Sequence, residues 1–185
     1  MNEAATKEPD IRQVITPAEI TAIVSRLAAN INRDYKGKRP IMVGVLKGSF
    51  VFMADLMRKI KPPVEVDFVR AASYGCGTES SGTVRITSDI EHQVFGRDVI
   101  IVEDIIDTGL TVQYIAGHLL AKGPASLRVC TLLDKPSRRM VDCHVDYVGV
   151  TVEDRFLVGY GLDCAERYRN LKGLYELVKP PPVKV

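Results

Sequence analysis

Several things are scarce or missing in this 185-residue chain, and each absence removes a class of protein. Charge of one sign is missing: 26% of the residues are charged, yet the formal net charge is only +2. Nonspecific nucleic-acid binding wants a concentrated basic face, so no nucleic-acid partner is expected. Long apolar runs are missing too. No stretch is long enough to span a bilayer, and the first ten residues, Met-Asn-Glu-Ala-Ala-Thr-Lys-Glu-Pro-Asp, lack an apolar signal core. The expectation is a cytoplasmic protein with no membrane partner. Cys76, Cys130, Cys143 and Cys164 form no C-x-x-C pair and no zinc-type spacing with histidine, which fits ordinary thiols in a reducing compartment. His92, His118 and His144 stand near no other ligand cluster and read as structural. There is no internal repeat, Walker loop, His-Glu-x-x-His pair or nucleophile elbow. Gly75-x-Gly77 lacks the third glycine of a dinucleotide fingerprint and opens no helix.

What is present is an apolar content of 46%, enough to bury one sizeable core. Residues 1–185 read as a single domain, with 1–11 and 179–185 as flexible ends. Thr16-Pro17-Ala18-Glu19 is a capping box with proline at the first helical position. The helix it opens places Ile20, Ile23, Val24, Leu27, Ala28 and Ile31 on one face. Strands are expected at 41–45, 64–71, 83–86, 99–102, 127–133, 145–152 and 174–177, with helices at 50–60 and 112–122.

The chain is organised around residues 98–111, Asp-Val-Ile-Ile-Val-Glu-Asp-Ile-Ile-Asp-Thr-Gly-Leu-Thr. A β-branched run suits a strand buried on both faces of a parallel sheet, and Glu103 and Asp104 are expected to end it. Asp107-Thr108-Gly109-Leu110-Thr111 then leads into a helix. Such a turn has the parts of a phosphate cradle: a glycine for close approach, two hydroxyls, and the free N–H groups and positive dipole end of a helix. Two acids would repel a bare phosphate, but they suit a ligand whose phosphate adjoins a diol. Carboxylates accept from both ribose hydroxyls and can hold a divalent cation nearby. The stretch therefore asks for a ribose 5-phosphate. A second strand-to-helix loop, Leu46-Lys47-Gly48-Ser49, carries a lysine. At the carboxyl end of its own strand it could meet a second phosphate group. Ser73 and Tyr74 open a glycine- and serine-rich loop, 73–82, of the kind that closes over sites.

The string from Glu103 to Thr111 resembles the signature of the phosphoribosyltransferases that use 5-phosphoribosyl-1-pyrophosphate. Val45 to Gly48, Asp67 to Arg70 with Ser73-Tyr74-Gly75, Leu133-Asp134-Lys135, and Phe156 to Asp163 with Arg169 narrow the likeness to the hypoxanthine (or hypoxanthine-guanine) phosphoribosyltransferases. That resemblance covers the chain from the first helix to Leu177. It implies the α/β type I phosphoribosyltransferase fold, a central parallel sheet flanked by helices, with a small hood from the terminal segments over the base site. It implies purine salvage: hypoxanthine or guanine plus phosphoribosyl pyrophosphate gives the nucleoside 5′-monophosphate and pyrophosphate, with Mg²⁺. In that family pattern Glu103 and Asp104 bind the ribose, and with Asp163 hold the metal. Asp107 is the catalytic proton holder at the base N7, and Asp107 to Thr111 cradle the 5′-phosphate. Leu46, Lys47, Gly48, Ser73, Tyr74 and Arg169 meet the pyrophosphate. Lys135 donates to the purine 6-oxo group, Phe156 stacks on the ring, and Leu157 and Asp163 read its edge. Leu110 departs from relatives that carry lysine there, and its backbone N–H suffices for phosphate. The family's habit implies self-association as a homodimer or homotetramer. Two alternatives are weighed beside it, a xanthine-preferring phosphoribosyltransferase and an RNA-binding regulator on the same fold.

Overall fold

The computed structural model describes residues 10–74 and 83–178. The elements follow in the order β1 (Ile11–Ile15), α1 (Pro17–Asp34), β2 (Ile41–Leu46), α2 (Phe50–Met57), β3 (Glu65–Tyr74), β4 (Thr83–Ser88), β5 (Asp98–Ile106), α3 (Leu110–Leu120), β6 (Ser126–Asp134), a 3₁₀ turn (Pro136–Arg138), β7 (Tyr147–Thr151), β8 (Leu157–Val158) and β9 (Leu174–Leu177). The main sheet has the order β4-β3-β2-β5-β6-β7. Its β3, β2, β5, β6 and β7 strands run parallel, and β4 is an antiparallel edge.

Sequence dictates these elements plainly. The Thr16 amide donates to Glu19 Oε2 at 2.8 Å, and the Glu19 amide donates back to Thr16 Oγ1 at 3.2 Å. This reciprocal cap starts α1, whose buried stripe is Ile20, Val24, Leu27, Ala28 and Ile31. With α2 it covers one face of the sheet around Met42, Ile100, Val102 and Leu132. The other face packs Val43, Val99, Ile101 and Val129 beneath Val112, Ile115 and Leu119 of α3. The central strands are buried on both faces, so their apolar runs are continuous rather than alternating.

Three features differ from the sequence expectation. Strand β5 does not stop at Glu103. Its ladder continues, with Glu103 opposite Thr131, Ile105 opposite Leu133 and Ile106 opposite Asp134. The parallel partner supplies hydrogen bonds that a local reading cannot see. Helix α2 ends at Met57 rather than at 60. Strand β1 occupies Ile11–Ile15, although the end 1–11 reads as a tail. It pairs antiparallel with β9, and β8 adds to the other side of β9. This small sheet of both chain ends is the hood; its β9 covers the residues expected, 174–177. The Gly75–Gly82 part of the expected loop and the end 179–185 lie outside the described residues.

Candidate active site

The parallel strands all deliver their carboxyl ends to one side, where a cleft of about 410 Å³ opens. Its walls come from the β2–α2 loop (Leu46, Lys47, Gly48), the end of β3 (Arg70, Ala71), and the end of β5 with the following turn (Asp104, Ile105, Asp107). Lys135 follows β6, and the hood contributes Phe156, Leu157, Leu162, Asp163, Glu166 and Arg169. Most residues singled out in the sequence therefore meet in one place. A smaller hollow beside it is lined by Glu103, Ile105, Ile106, Asp107, Thr108, Gly109, Thr111 and Val112. The two cavities share Ile105 and Asp107.

The hollow is built by the β5–α3 turn. Gly109 is the N-cap of α3 with φ +85°, a left-handed conformation that a side chain resists. The turn is backed by Arg139, Cys143 and Val141, within 3.0–3.2 Å of where a Cβ on Gly109 would sit. Leu110 does not line this hollow. It lines a separate groove with Val84, Gln113, Tyr114, Gly117 and His118.

The acidic pair does not open into one cavity. Alternation along β5 sends Asp104 to the cleft and Glu103 to the hollow. Both are buried, and Glu103 Oε2 has no hydrogen-bond partner among the described residues. Burial, with the neighbouring Asp104 charge second, pushes the Glu103 carboxyl well above the usual carboxylate range. Burial also pushes Asp104 up to about 6, against the pull of its own and Ile105 backbone amides and of Arg169. An acid so placed is short of positive partners.

The β2–α2 loop is fixed tightly. Ser49 Oγ donates to the Val45 carbonyl at 2.6 Å, and the Leu46–Lys47 peptide is cis. A Cβ on Gly48 would lie 1.8 Å from Asp104 Oδ2, and one on Gly161 would lie 2.2 Å from the Gly48 carbonyl oxygen. Two glycines thus let the hood, the loop and the acid touch. The hood segment itself takes positive φ at Tyr160, Ala165, Glu166 and Tyr168. Such runs gather at functional sites because surrounding contacts must hold them. Arg169 supplies those contacts. Its Nη1 donates to the Gly161 carbonyl at 2.8 Å and its Nη2 meets Asp163 Oδ1 at 2.7 Å. Lys47 Nζ reaches Glu166 Oε1 at 2.9 Å, so a carboxylate stands where an anionic ligand could.

On the far wall Lys135 is almost buried. Its Nζ donates to the Arg155 carbonyl at 2.6 Å, leaving further N–H directions for a guest. Phe156 lies at the mouth, 42% exposed, an aromatic face awaiting cover. Ser73 and Tyr74 end β3. Sequence reasoning missed Glu166, and it quoted Arg70 without giving it a role. Arg70 stands in register with Leu46 at the carboxyl end of the neighbouring strand, a pairing that only the folded sheet shows.

Among the described residues, no three His, Cys, Asp or Glu side chains gather as a ready metal cage. The donor set nonetheless suits a hard cation. Mg²⁺ takes one or two carboxylates and fills its remaining positions with water and ligand oxygens, and the orphaned Glu103 oxygen is an acceptor without a donor.

A family model described as phosphoribosyl transferase domain matches residues 15–165. The hypoxanthine phosphoribosyltransferase of Salmonella typhimurium is 48% identical over 163 residues, covering 87% of this chain and 92% of that protein. The hypoxanthine-guanine phosphoribosyltransferase of Streptococcus pneumoniae is 46% identical over 165 residues, covering 89% of this chain and 92% of that one. A crystal structure of a hypoxanthine-guanine phosphoribosyltransferase from Bacillus anthracis, with a HEPES molecule in its active site, aligns with a TM-score of 0.88. The identity is 47%, covering 92% of this chain and all of the other. A cleft of this make-up and likeness at this level have one explanation: the chain belongs to the phosphoribosyltransferase family, in its hypoxanthine and hypoxanthine-guanine branch.

Proposed function

We propose that this protein transfers the 5-phosphoribosyl group of phosphoribosyl pyrophosphate to N9 of hypoxanthine or guanine, releasing pyrophosphate. One observation carries the reading: Lys135 and Phe156 stand in the same cleft as Lys47, Gly48, Asp104 and Arg169, with the Asp107–Thr111 hollow adjoining. The residues proposed to read the purine, hold the ribose and meet the diphosphate line one cleft, and the proposed phosphate cradle lines the hollow beside it.

The chemistry follows from the parts. Thr108 to Thr111 hold the 5′-phosphate through hydroxyls and the first amides of α3. Asp104 from the cleft and Glu103 from the hollow hold the ribose hydroxyls, and their negative charge favours the positive character that builds on the sugar ring as its C1 bond loosens. Lys47, Arg169 and the amides of Leu46 to Gly48 take the growing charge of the departing diphosphate. Arg70 adds a third cation to that wall. Ser73 and Tyr74 complete the pyrophosphate side from the end of β3. Of the expected metal ligands Glu103, Asp104 and Asp163, the two that line the cleft, Asp104 and Asp163, would hold Mg²⁺, which would supply charge neutralisation to the diphosphate when bound. Asp107 takes the proton from the base N7. Lys135 donates to the 6-oxo group, Phe156 stacks on the ring, and the Leu157 and Asp163 carbonyls face its edge. Adenine presents a donor where Lys135 also donates, so it is excluded. The surrounding protein is cytoplasmic and self-associates as a dimer or tetramer.

Initial rates with phosphoribosyl pyrophosphate and Mg²⁺, followed by ultraviolet absorbance, test this reading. Hypoxanthine and guanine should be consumed and adenine left. Lys135→Gln, whose amide can accept as well as donate, should lower hypoxanthine kcat/KM and narrow the gap to adenine by about tenfold. No turnover of either 6-oxopurine would overturn the proposal.

A further inference from the structure

The two residues that flank the purine in the proposed function are joined by a chain of alternating charges. Lys135 Nζ lies 3.9 Å from Asp154 Oδ1. Asp154 Oδ2 lies 3.5 Å from Arg138 Nη1, and Arg138 Nε donates to Asp107 Oδ1 at 3.2 Å. The backbone sets up this arrangement. The Lys135 amide donates to the Ile106 carbonyl at 2.9 Å, which fixes the end of β6 beside the end of β5. The turn at Pro136–Arg138 then folds Arg138 back, its amide donating to the Lys135 carbonyl at 3.1 Å. Arg139 seals the join from behind by donating to the Asp107 carbonyl at 2.8 Å.

Neither Asp154 nor Arg138 lines the cleft, whereas Lys135 and Asp107 both do. Each outer residue holds one inner residue and grips the other outer one. We propose that Asp154 and Arg138 are positioning residues for the nucleobase, a brace that sets the separation and aim of Lys135 and Asp107. It rests on the function proposed above. Lys135 is a flexible stem bearing an ammonium, so a carboxylate on one side and the Arg155 carbonyl on the other restrict its aim to the remaining direction. Asp107 would otherwise be free to rotate about a side chain that is 40% exposed. Because Asp154 and Arg138 are about half exposed, their pair contributes little to folding stability. Its worth appears when a purine covers the inner ends and excludes water from them.

The brace makes a pattern of kinetics that a surface ion pair would not. Asp154→Asn and Arg138→Gln should each lower kcat/KM for hypoxanthine by about 3- to 10-fold, with KM for phosphoribosyl pyrophosphate unchanged within about twofold. The double variant should fall close to either single one, because both remove the same constraint. Asp154→Glu should restore most of the rate, and thermal unfolding should match the parent in every variant. Equal loss toward both substrates, independent losses that multiply in the double variant, or no loss at all would overturn the brace while leaving the transferase reading intact. A parent protein that turns over no 6-oxopurine would overturn both.

Discussion

The two ends of the main sheet carry their acids in opposite ways. Where the parallel strands begin, every acid considered has a cation or hydroxyl. Asp34 accepts from Arg128 at 3.0 Å and from the Tyr147 hydroxyl at 2.9 Å. Glu65 meets Arg97 at 2.7 Å and Arg39 at 3.0 Å. Asp98 accepts from Ser126 and pairs with Lys38 at 3.2 Å. These carboxyls are held below their ordinary range, Asp34 chiefly by Arg33, Glu65 by Arg97 and Asp98 by Ser126. Where the strands finish, Glu103 and Asp104 are buried and pushed upward. One end is electrostatically complete. The other is left incomplete, and on the function proposed above a ligand bearing hydroxyls and a cation would complete it.

The sharpest way to break this contrast is to disturb the incomplete end by a single carbon. Gly48→Ala places a methyl group where Asp104 Oδ2 now sits, so either the loop or the acid must move. Misplacement on the ångström scale should lower kcat/KM by about 100-fold, with far-ultraviolet circular dichroism unchanged. A variant with near-parental rates would show that the contact between loop and acid is dispensable.

Next in size is a pair of opposite effects on stability. In the ligand-free protein the ionised Asp104 is disfavoured, so the fold binds a proton that the unfolded chain releases. Stability from this group is therefore present at low pH and is lost as pH rises from about 4 through about 6. Asp104→Asn removes that loss. Without ligand or divalent cation it should be more stable than the parent at pH 7 by on the order of 2 kcal/mol, read as a Tm about 4–8 °C higher. Its gain should vanish near pH 4, and it should be the poorer enzyme. Equal Tm values at pH 7 would show that burial of this acid costs the fold nothing. At the complete end the sign reverses. Tyr147→Phe strips the hydroxyl that accepts from Arg128 at 2.5 Å and donates to Asp34. It should lose about 1–2 kcal/mol and leave kcat unchanged. A change in kcat there would mean that the two ends are coupled.

How far the sequence reveals this molecule depends on the range of the cause. The Thr16–Glu19 cap, the cradle turn at 107–111 and the strand at 174–177 are local patterns, and they stand where the residues place them. Strand β1 was not legible, because its partner lies more than 150 residues downstream and its own five residues alternate only weakly. The extension of β5 through two acids was hidden for the same reason. In the cleft, motif residues converge as expected, but Glu166 and Arg70 enter through tertiary placement alone. The separation of Glu103 from Asp104 into adjoining cavities follows from strand alternation, which applies only once the acids are known to lie inside the strand.

The hood has a consequence for how the protein is made. Its middle strand, β9, is the last element among the described residues, and the two strands it bridges, β1 and β8, are not bonded to each other. A growing polypeptide can lay down the parallel sheet and the turn at 107–111 while still tethered to the ribosome, yet the hood lacks its middle strand until residues 174–177 emerge. On the function proposed above, the base site is therefore completed after the phosphate site.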